Sequence, residues 1–429
     1  MSFGAVNDIE KRIFYYLCGF ALVSSASIAI GNIFLILTTL GLVHRLLRKH
    51  DDVLAVFCRH QKFFKVLAVL IVAMFISIIG AEDMGRGFSV LSDYFGYRLM
   101  GVLAVIFCIH DKKKLLMLAG LTLVSITINN AAAICQSFPQ FDPNMRKAGF
   151  LFCMVQGTIL TIAIPIAMVL LGMSWTKQAE NSDVSDTAGE VQSDCKKCKC
   201  AGKGKWLLIG FLVVALFALY INGTRGAWLA AAIMMLCTGL LLIKNKVVLT
   251  ASILGLLVLL GCNYSYNTSF QHRANSMVDM QANKERLFVW QSSVKMIEDH
   301  PIVGVGLGNF DKTYKEKYIN PAAKETWLGH AHNNVLQFFA EGGVIGGCSF
   351  LAFWFYMIWF SIRGWMRSRN AGYMCTFCIV MGLMLHGLTE YTFGASVTAK
   401  FFWFVLGLSL QWIYLSSAGA GVSESGAGK

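Results

Sequence analysis

Three polar stretches in this chain hold the residue types that could do chemistry. "NGTRGAW" sets Arg225 at the start of an apolar block, "NKERLFVWQSSVKMIEDHP" carries Arg286 near its beginning, and "HAHNNVLQFFAEGGVIG" holds His330 and His332. A guanidinium is planar, always charged and able to grip two phosphate oxygens at once. An imidazole titrates near neutrality and can take a proton from a hydroxyl. The set suits an anionic substrate and an activated hydroxyl. Each residue also has a plainer reading: Arg225 snorkelling to a membrane interface, Arg286 paired with Glu285 or Glu298, His332 capping a helix. His330 and His332 make an HxH pair, but two ligands are too few for a metal. No acidic cluster fits Mg²⁺, so no metal and no cofactor is expected. Glu390 is a weaker candidate, either orienting a histidine or binding a sugar, or simply an interface carboxylate.

The elements that must position these residues are membrane helices. Of 429 residues, 56% are hydrophobic, 14% charged and only five are proline, too apolar for an ordinary soluble protein. A spanning helix needs about 20 apolar residues. Apolar blocks between charged breaks predict an all-α polytopic membrane protein with about twelve spans. They lie near 13–30, 31–43, 63–79, 92–109, 115–133, 150–173, 206–221, 226–243, 247–262, 345–362, 372–389 and 399–416. Gly31 and Asn32 offer the break between the first two. The first helix is expected to stay as an anchor rather than be cleaved.

Lys and Arg placement marks cytoplasmic loops. With the N-terminus inside, the cytoplasmic loops and both tails carry 23 of the 37 basic residues, in stretches such as "HDKKK", "KNK" and "RGWMRSRN". The three polar stretches then face the periplasm. The net charge of +13 reflects this topology and attraction to anionic membrane lipid, not nucleic acid. The spans are nearly free of charge, with Arg98 and Lys400 as exceptions near their outer ends.

The expected organisation is helices 1–9 over 1–262, a large loop over 263–344, helices 10–12 over 345–416 and a disordered tail over 417–429. Residues 174–205 read as a disordered cytoplasmic linker. Its "CKKCKC" (Cys195, Cys198, Cys200) lacks the second pair or histidine of a zinc site. In the large loop, Leu287, Trp290, Val294 and Ile297 predict one face of a helix stopped by Pro301. Val335, Leu336 and Phe339 predict a second, starting after His332 and stopped by Gly342 and Gly343. Between them "PIVGVGLGNF" reads as a glycine-rich turn, not a dinucleotide site.

His332 and Asn333 followed by "GVIG", the preceding "HPIVGVGLGNF", the TRG arginine and Arg286, with this topology, resemble the O-antigen ligase and polymerase family of bacterial envelope glycosyltransferases. Chain length favours the ligase type. The resemblance implies an undecaprenyl-diphosphate-linked polysaccharide donor and a lipid A-core acceptor. It also implies that Arg225 and Arg286 hold the diphosphate and that His332 is the base, on the periplasmic side of the inner membrane. Polymerisation of repeat units or transfer to protein would use the same donor. A flippase would need ionisable residues near the midplane and internal repeats, and neither is visible.

Overall fold

The computed structural model describes residues 3–49, 51–138, 146–185 and 196–425. No strand occurs among them. The helices are α1 (Phe3–Val23), α2 (Ile28–Arg48), α3 (Asp51–Arg59), α4 (Gln61–Ile78), α5 (Met84–Leu91), α6 (Met100–Cys108), α7 (Lys112–Cys135), α8 (Cys153–Ser185) and α9 (Lys196–Asn222). They continue with α10 (Arg225–Leu242), α11 (Lys246–Tyr266), α12 (Thr268–Val278), α13 (Lys284–Asp299), α14 (Phe310–Thr313), α15 (Asn334–Ser368), α16 (Ala371–Gly387) and α17 (Ser396–Ser425). Among the described residues, ten stretches are long and apolar enough to cross a membrane, with α5 and α6 forming one of them through a π-helical turn at Ser92–Tyr97. The shorter α16 is apolar as well, and α1 carries Asp8, Glu10, Lys11 and Arg12. Each of the twelve expected spans overlaps one of these helices, and the protein is an all-α polytopic membrane protein.

One boundary differs from expectation. The first hairpin turns at residues 24–27, where Ser27 caps α2 by accepting from the Ile30 N–H, while Gly31 and Asn32 lie inside α2. A serine side chain satisfies an orphan amide at a helix start, and that outweighs the permissiveness of glycine. The connector expected at 174–205 includes residues 186–195, and the tail expected at 417–429 includes 426–429; both of these stretches fall outside the described residues.

The centre of the bundle is α8 and α17, whose spanning segments are the most buried. Trp403, Phe402 and Phe404 on α17 are fully buried: Trp403 meets Phe353 of α15 and Phe393 edge-to-face, Phe402 meets Trp354 of α15 at a tilt, and Phe404 meets Phe20 of α1 edge-to-face. On the other side of α17, Gly407 lets the Val102 backbone of α6 approach to 2.9 Å from where a Cβ would stand. Small residues at such a crossing bring helices close, and dispersion does the rest.

Helix direction sorts the polar residues by end. Arg225 opens α10, and Lys244 and Lys246 follow its other end about 27 Å away, at 1.5 Å per residue for 18 residues. The starts of α8, α15 and α17 and the end of α16 all meet at the Arg225 end. There, residues of the long loop form a small core of their own from Val289, Met296, Val305, Phe310, Tyr314, Ala331 and Ala340.

Candidate functional site

The opening of α15 is built by its polar residues. Asn333 caps the helix by accepting from the Leu336 N–H at 3.1 Å and donates through Nδ2 to the Leu388 carbonyl at 2.9 Å. Asn334 donates to Thr392 Oγ1 at 2.9 Å and accepts from the Phe393 N–H at 3.2 Å. The two asparagines thus clamp the loop between α16 and α17, and that loop carries Glu390. His332 sits one residue before the cap with φ 48, a left-handed conformation uncommon outside glycine. Its Nδ1 lies 2.7 Å from Glu390 Oε1.

The histidine and the carboxylate are therefore a hydrogen-bonded pair, and the second carboxylate oxygen lies 3.6 Å from Arg286 Nη2. Burial pushes the Glu390 carboxyl up, but the hydrogen bond and charge of His332 and the charge of Arg286 outweigh it and hold the group down at about 2. Arg286 pairs with Glu390 rather than with Glu285 or Glu298, and Glu285 instead accepts from the Lys324 and Glu325 amides. Arg98, buried among aromatic rings, donates to the Phe393 and Gly394 carbonyls at 3.1 and 2.9 Å and so anchors the Glu390 loop from its far side.

Arg225 donates to the Ser276 carbonyl and, at 3.1 Å, to Asn283 Oδ1, which ties the start of α10 to the entry of α13. It lines a small cavity of about 80 Å³ with Arg146, Arg273, Arg286, His386, Thr389 and Glu390. Arg146 donates to Thr224 Oγ1 at 2.6 Å, across from Gly223, whose φ of 64 suits glycine. Burial and the charge of Arg146 lower the Arg273 pKa, the mark of cations crowded together. Four guanidiniums face one carboxylate here, an excess of positive charge that suits a polyanion.

A wider crevice of about 510 Å³ opens on the other side of Glu390, with His330, His332, Tyr391, Met154 and Thr158 in its wall. Met154 and Glu390 are common to both spaces. His332 therefore stands at the rim of the larger space, beside the arginine cavity. With Nδ1 on Glu390, its Nε2 is the nitrogen left for a substrate hydroxyl. His330 Nδ1 accepts the His332 N–H at 3.2 Å, and burial together with the neighbouring His332 lowers its pKa to about 4.

His330, His332 and Glu390 bring one potential ligand atom each within 4.8 Å of one another, so the structure adds a third donor to the HxH pair. The set fits a divalent metal poorly. His332 Nδ1 is engaged with Glu390 Oε1 at 2.7 Å, and the Arg286 guanidinium stands 3.6 Å from the other carboxylate oxygen, where it would repel a cation.

Glycines hold this assembly together. α15 kinks at Gly343 (φ 56, ψ −157) instead of stopping there, so the expected helix end is a bend within one continuous element. The turn after α13 fills the bend: Val344 N–H donates to Pro301 O at 2.7 Å, and Val305 and Gly306 N–H donate to Ala340 O and Glu341 O at 2.9 and 3.0 Å. "PIVGVGLGNF" is thus structural, and buried Glu341 accepts from the Gly308 N–H.

Two helix faces differ from expectation. The buried face of α13 is Val289, Ser292, Ser293 and Met296, while Val294 is exposed. Ser292 donates to the Tyr318 carbonyl and Ser293 to Val289, so these serines are buried without leaving a polar group unsatisfied. On α15 the buried positions are Asn334, Gln337, Phe338, Ala340 and Glu341, with Val335 and Leu336 half-buried beside them. Arg225, Arg286, His332 and Glu390 are all brought together. Arg146, Arg273 and His386 are site residues that sequence reasoning missed. The signal for His386 was a lone ionisable residue inside an apolar span, which is a functional hint by default; Arg146 and Arg273 sit in loop sequence with no such mark.

Fold and site together define a polytopic helical membrane protein with a histidine–glutamate pair beside an arginine-lined cavity. Residues 210–351 match the family model described as O-Antigen ligase. This segment, which holds Arg225, Arg286 and His332, is similar to the O-antigen ligase family, and the likeness points to a glycosyltransferase-type enzyme. The match does not separate ligase from polymerase. No curated protein matches the chain.

Proposed function

We propose that the protein transfers a polysaccharide from undecaprenyl diphosphate to a sugar hydroxyl of lipid A-core, at the periplasmic face of the inner membrane, as an O-antigen ligase. The observation that carries this reading is the juxtaposition of the His332–Glu390 pair with four arginines around one cavity. A diphosphate in that cavity sets the anomeric carbon of its sugar at the rim where His332 stands. The acceptor oxygen attacks that carbon as His332 Nε2 takes its proton. The bond from the anomeric carbon to the phosphate oxygen breaks, and its electron pair leaves with the diphosphate. The arginines stabilise the charge gathering there, and Glu390 stabilises the imidazolium. Positive side chains do the work that a divalent ion does elsewhere, so the reaction is metal-independent.

The ligase assignment is tested with purified protein and a lipid-linked oligosaccharide, offered lipid A-core, free repeat units or a peptide in separate reactions. Glycosylation of lipid A-core supports it. Chain extension or peptide modification instead assigns the polymerase or protein-glycosylating activity. Activity lost in chelator and regained with a divalent metal would overturn the metal-independent step.

A further inference from the structure

His386, near the end of α16, is fully buried. Its Nδ1 lies 2.8 Å from Thr158 Oγ1 of α8, while its Nε2 has no hydrogen-bond partner. The ring stands between two glycines: Cε1 lies 3.6 Å from the place of a Cβ on Gly157 of α8, and Cδ2 lies 3.3 Å from that on Gly226 of α10. The same residue lines the arginine cavity with Arg146, Arg225, Arg273 and Arg286. Buried polar nitrogens are almost always paired, so one that borders an anion cavity without a partner points to a ligand.

We propose that His386 is a neutral hydrogen-bond donor to the bound diphosphate, with Thr158 setting its tautomer. This rests on the diphosphate reading of the arginine cavity given above. The Thr158 hydroxyl has one proton and two acceptors within reach, Met154 O at 2.9 Å and His386 Nδ1 at 2.8 Å. Turned toward Met154, it leaves the ring proton on Nδ1 and a bare lone pair on Nε2. Turned toward Nδ1, it makes that atom the acceptor and places the ring proton on Nε2, the unpartnered nitrogen of a ring that lines the cavity. No proton is gained or lost between the two arrangements. A phosphate oxygen selects the second, because it accepts from Nε2–H and repels a lone pair. The glycines at 157 and 226 leave the ring the space it occupies; a side chain at Gly226 would collide with Thr389 Oγ1. His386 lies beyond the matched segment 210–351, so the family match assigns it nothing.

The test uses the purified full chain with inorganic pyrophosphate as probe, read by calorimetry and by ¹⁵N resonances of labelled histidine. In the wild-type chain, pyrophosphate should move the His386 Nε2 signal from the unprotonated to the protonated range. His386→Ala should weaken pyrophosphate about tenfold, equivalent to about 1.4 kcal/mol. Thr158→Val should weaken it less and abolish the resonance shift. If His386→Ala does not fold, the wild-type resonance decides alone. Pyrophosphate bound by the wild-type chain and lost in Arg225→Ala, with no change at His386 Nε2, overturns the inference and leaves the diphosphate reading standing. No pyrophosphate binding by the wild-type chain overturns both.

Discussion

Replacing Glu390 by Gln keeps the shape of a side chain that is only 7% exposed and removes its charge. The structure separates two consequences. The contact to His332 is a 2.7 Å hydrogen bond, and hydrogen bonds to charged groups contribute about 1.5–3 kcal/mol. At about 1.4 kcal/mol per factor of ten in rate, losing the carboxylate just as the imidazolium forms should lower kcat roughly 10- to 150-fold. The contact to Arg286 is 3.6 Å, longer than a hydrogen bond, so its loss should appear mainly in the KM for the donor. Initial rates with a lipid-linked oligosaccharide give kcat and KM separately, and a thermal melt checks that the variant is folded. A kcat within twofold of wild type, in a folded variant, would refute the claim that Glu390 supports His332.

Four further outcomes follow from the geometry. Lys in place of Arg286 should raise the donor KM about tenfold or more, because an ammonium cannot make the planar two-point contact; a normal KM would argue for charge alone. Arg98→Ala should lower kcat with little effect on the KM, since it frees the loop that carries Glu390; rates equal to wild type would separate the two. Gly343→Ala should destabilise the protein by roughly 3 kcal/mol or more, because φ is 56 and a Cβ would run into the Ile302 carbonyl, so an unchanged Tm would contradict the kink. Thermal stability should fall on acidification. His330 is lowered from 6.5 to about 4, so its contribution is complete above pH 6.5 and lost between 6.5 and 4. Glu390, lowered from 4.5 to about 2, loses its contribution only between 4.5 and 2. His330→Asn should flatten the upper part of that curve, measured as Tm against pH.

Much of the fold could be read from the sequence because bilayer spans announce themselves by length and composition. Arg225, Arg286 and His332 stood out because polar residues are conspicuous in an apolar chain. What could not be read depends on tertiary partners. Asn333, Asn334 and Glu341 look like surface residues by type, yet each is positioned or buried by hydrogen bonds to segments far along the chain. The serines of α13 look solvent-facing for the same reason. By sequence Glu390 reads as a histidine-orienting or sugar-binding group or as an interface carboxylate, and only the clamp of α15 on its loop brings it to His332. The arginine cavity draws on residues from 146 to 390, a convergence no local spacing encodes.

The most direct test of the reaction site compares wild-type protein with His332→Ala in a single-turnover reaction, with lipid-linked oligosaccharide bound and acceptor added. The expected result is donor binding within a few-fold of wild type and transfer slowed by about 10²-fold or more, the loss of a general base. Transfer at the wild-type rate in His332→Ala would contradict the central claim.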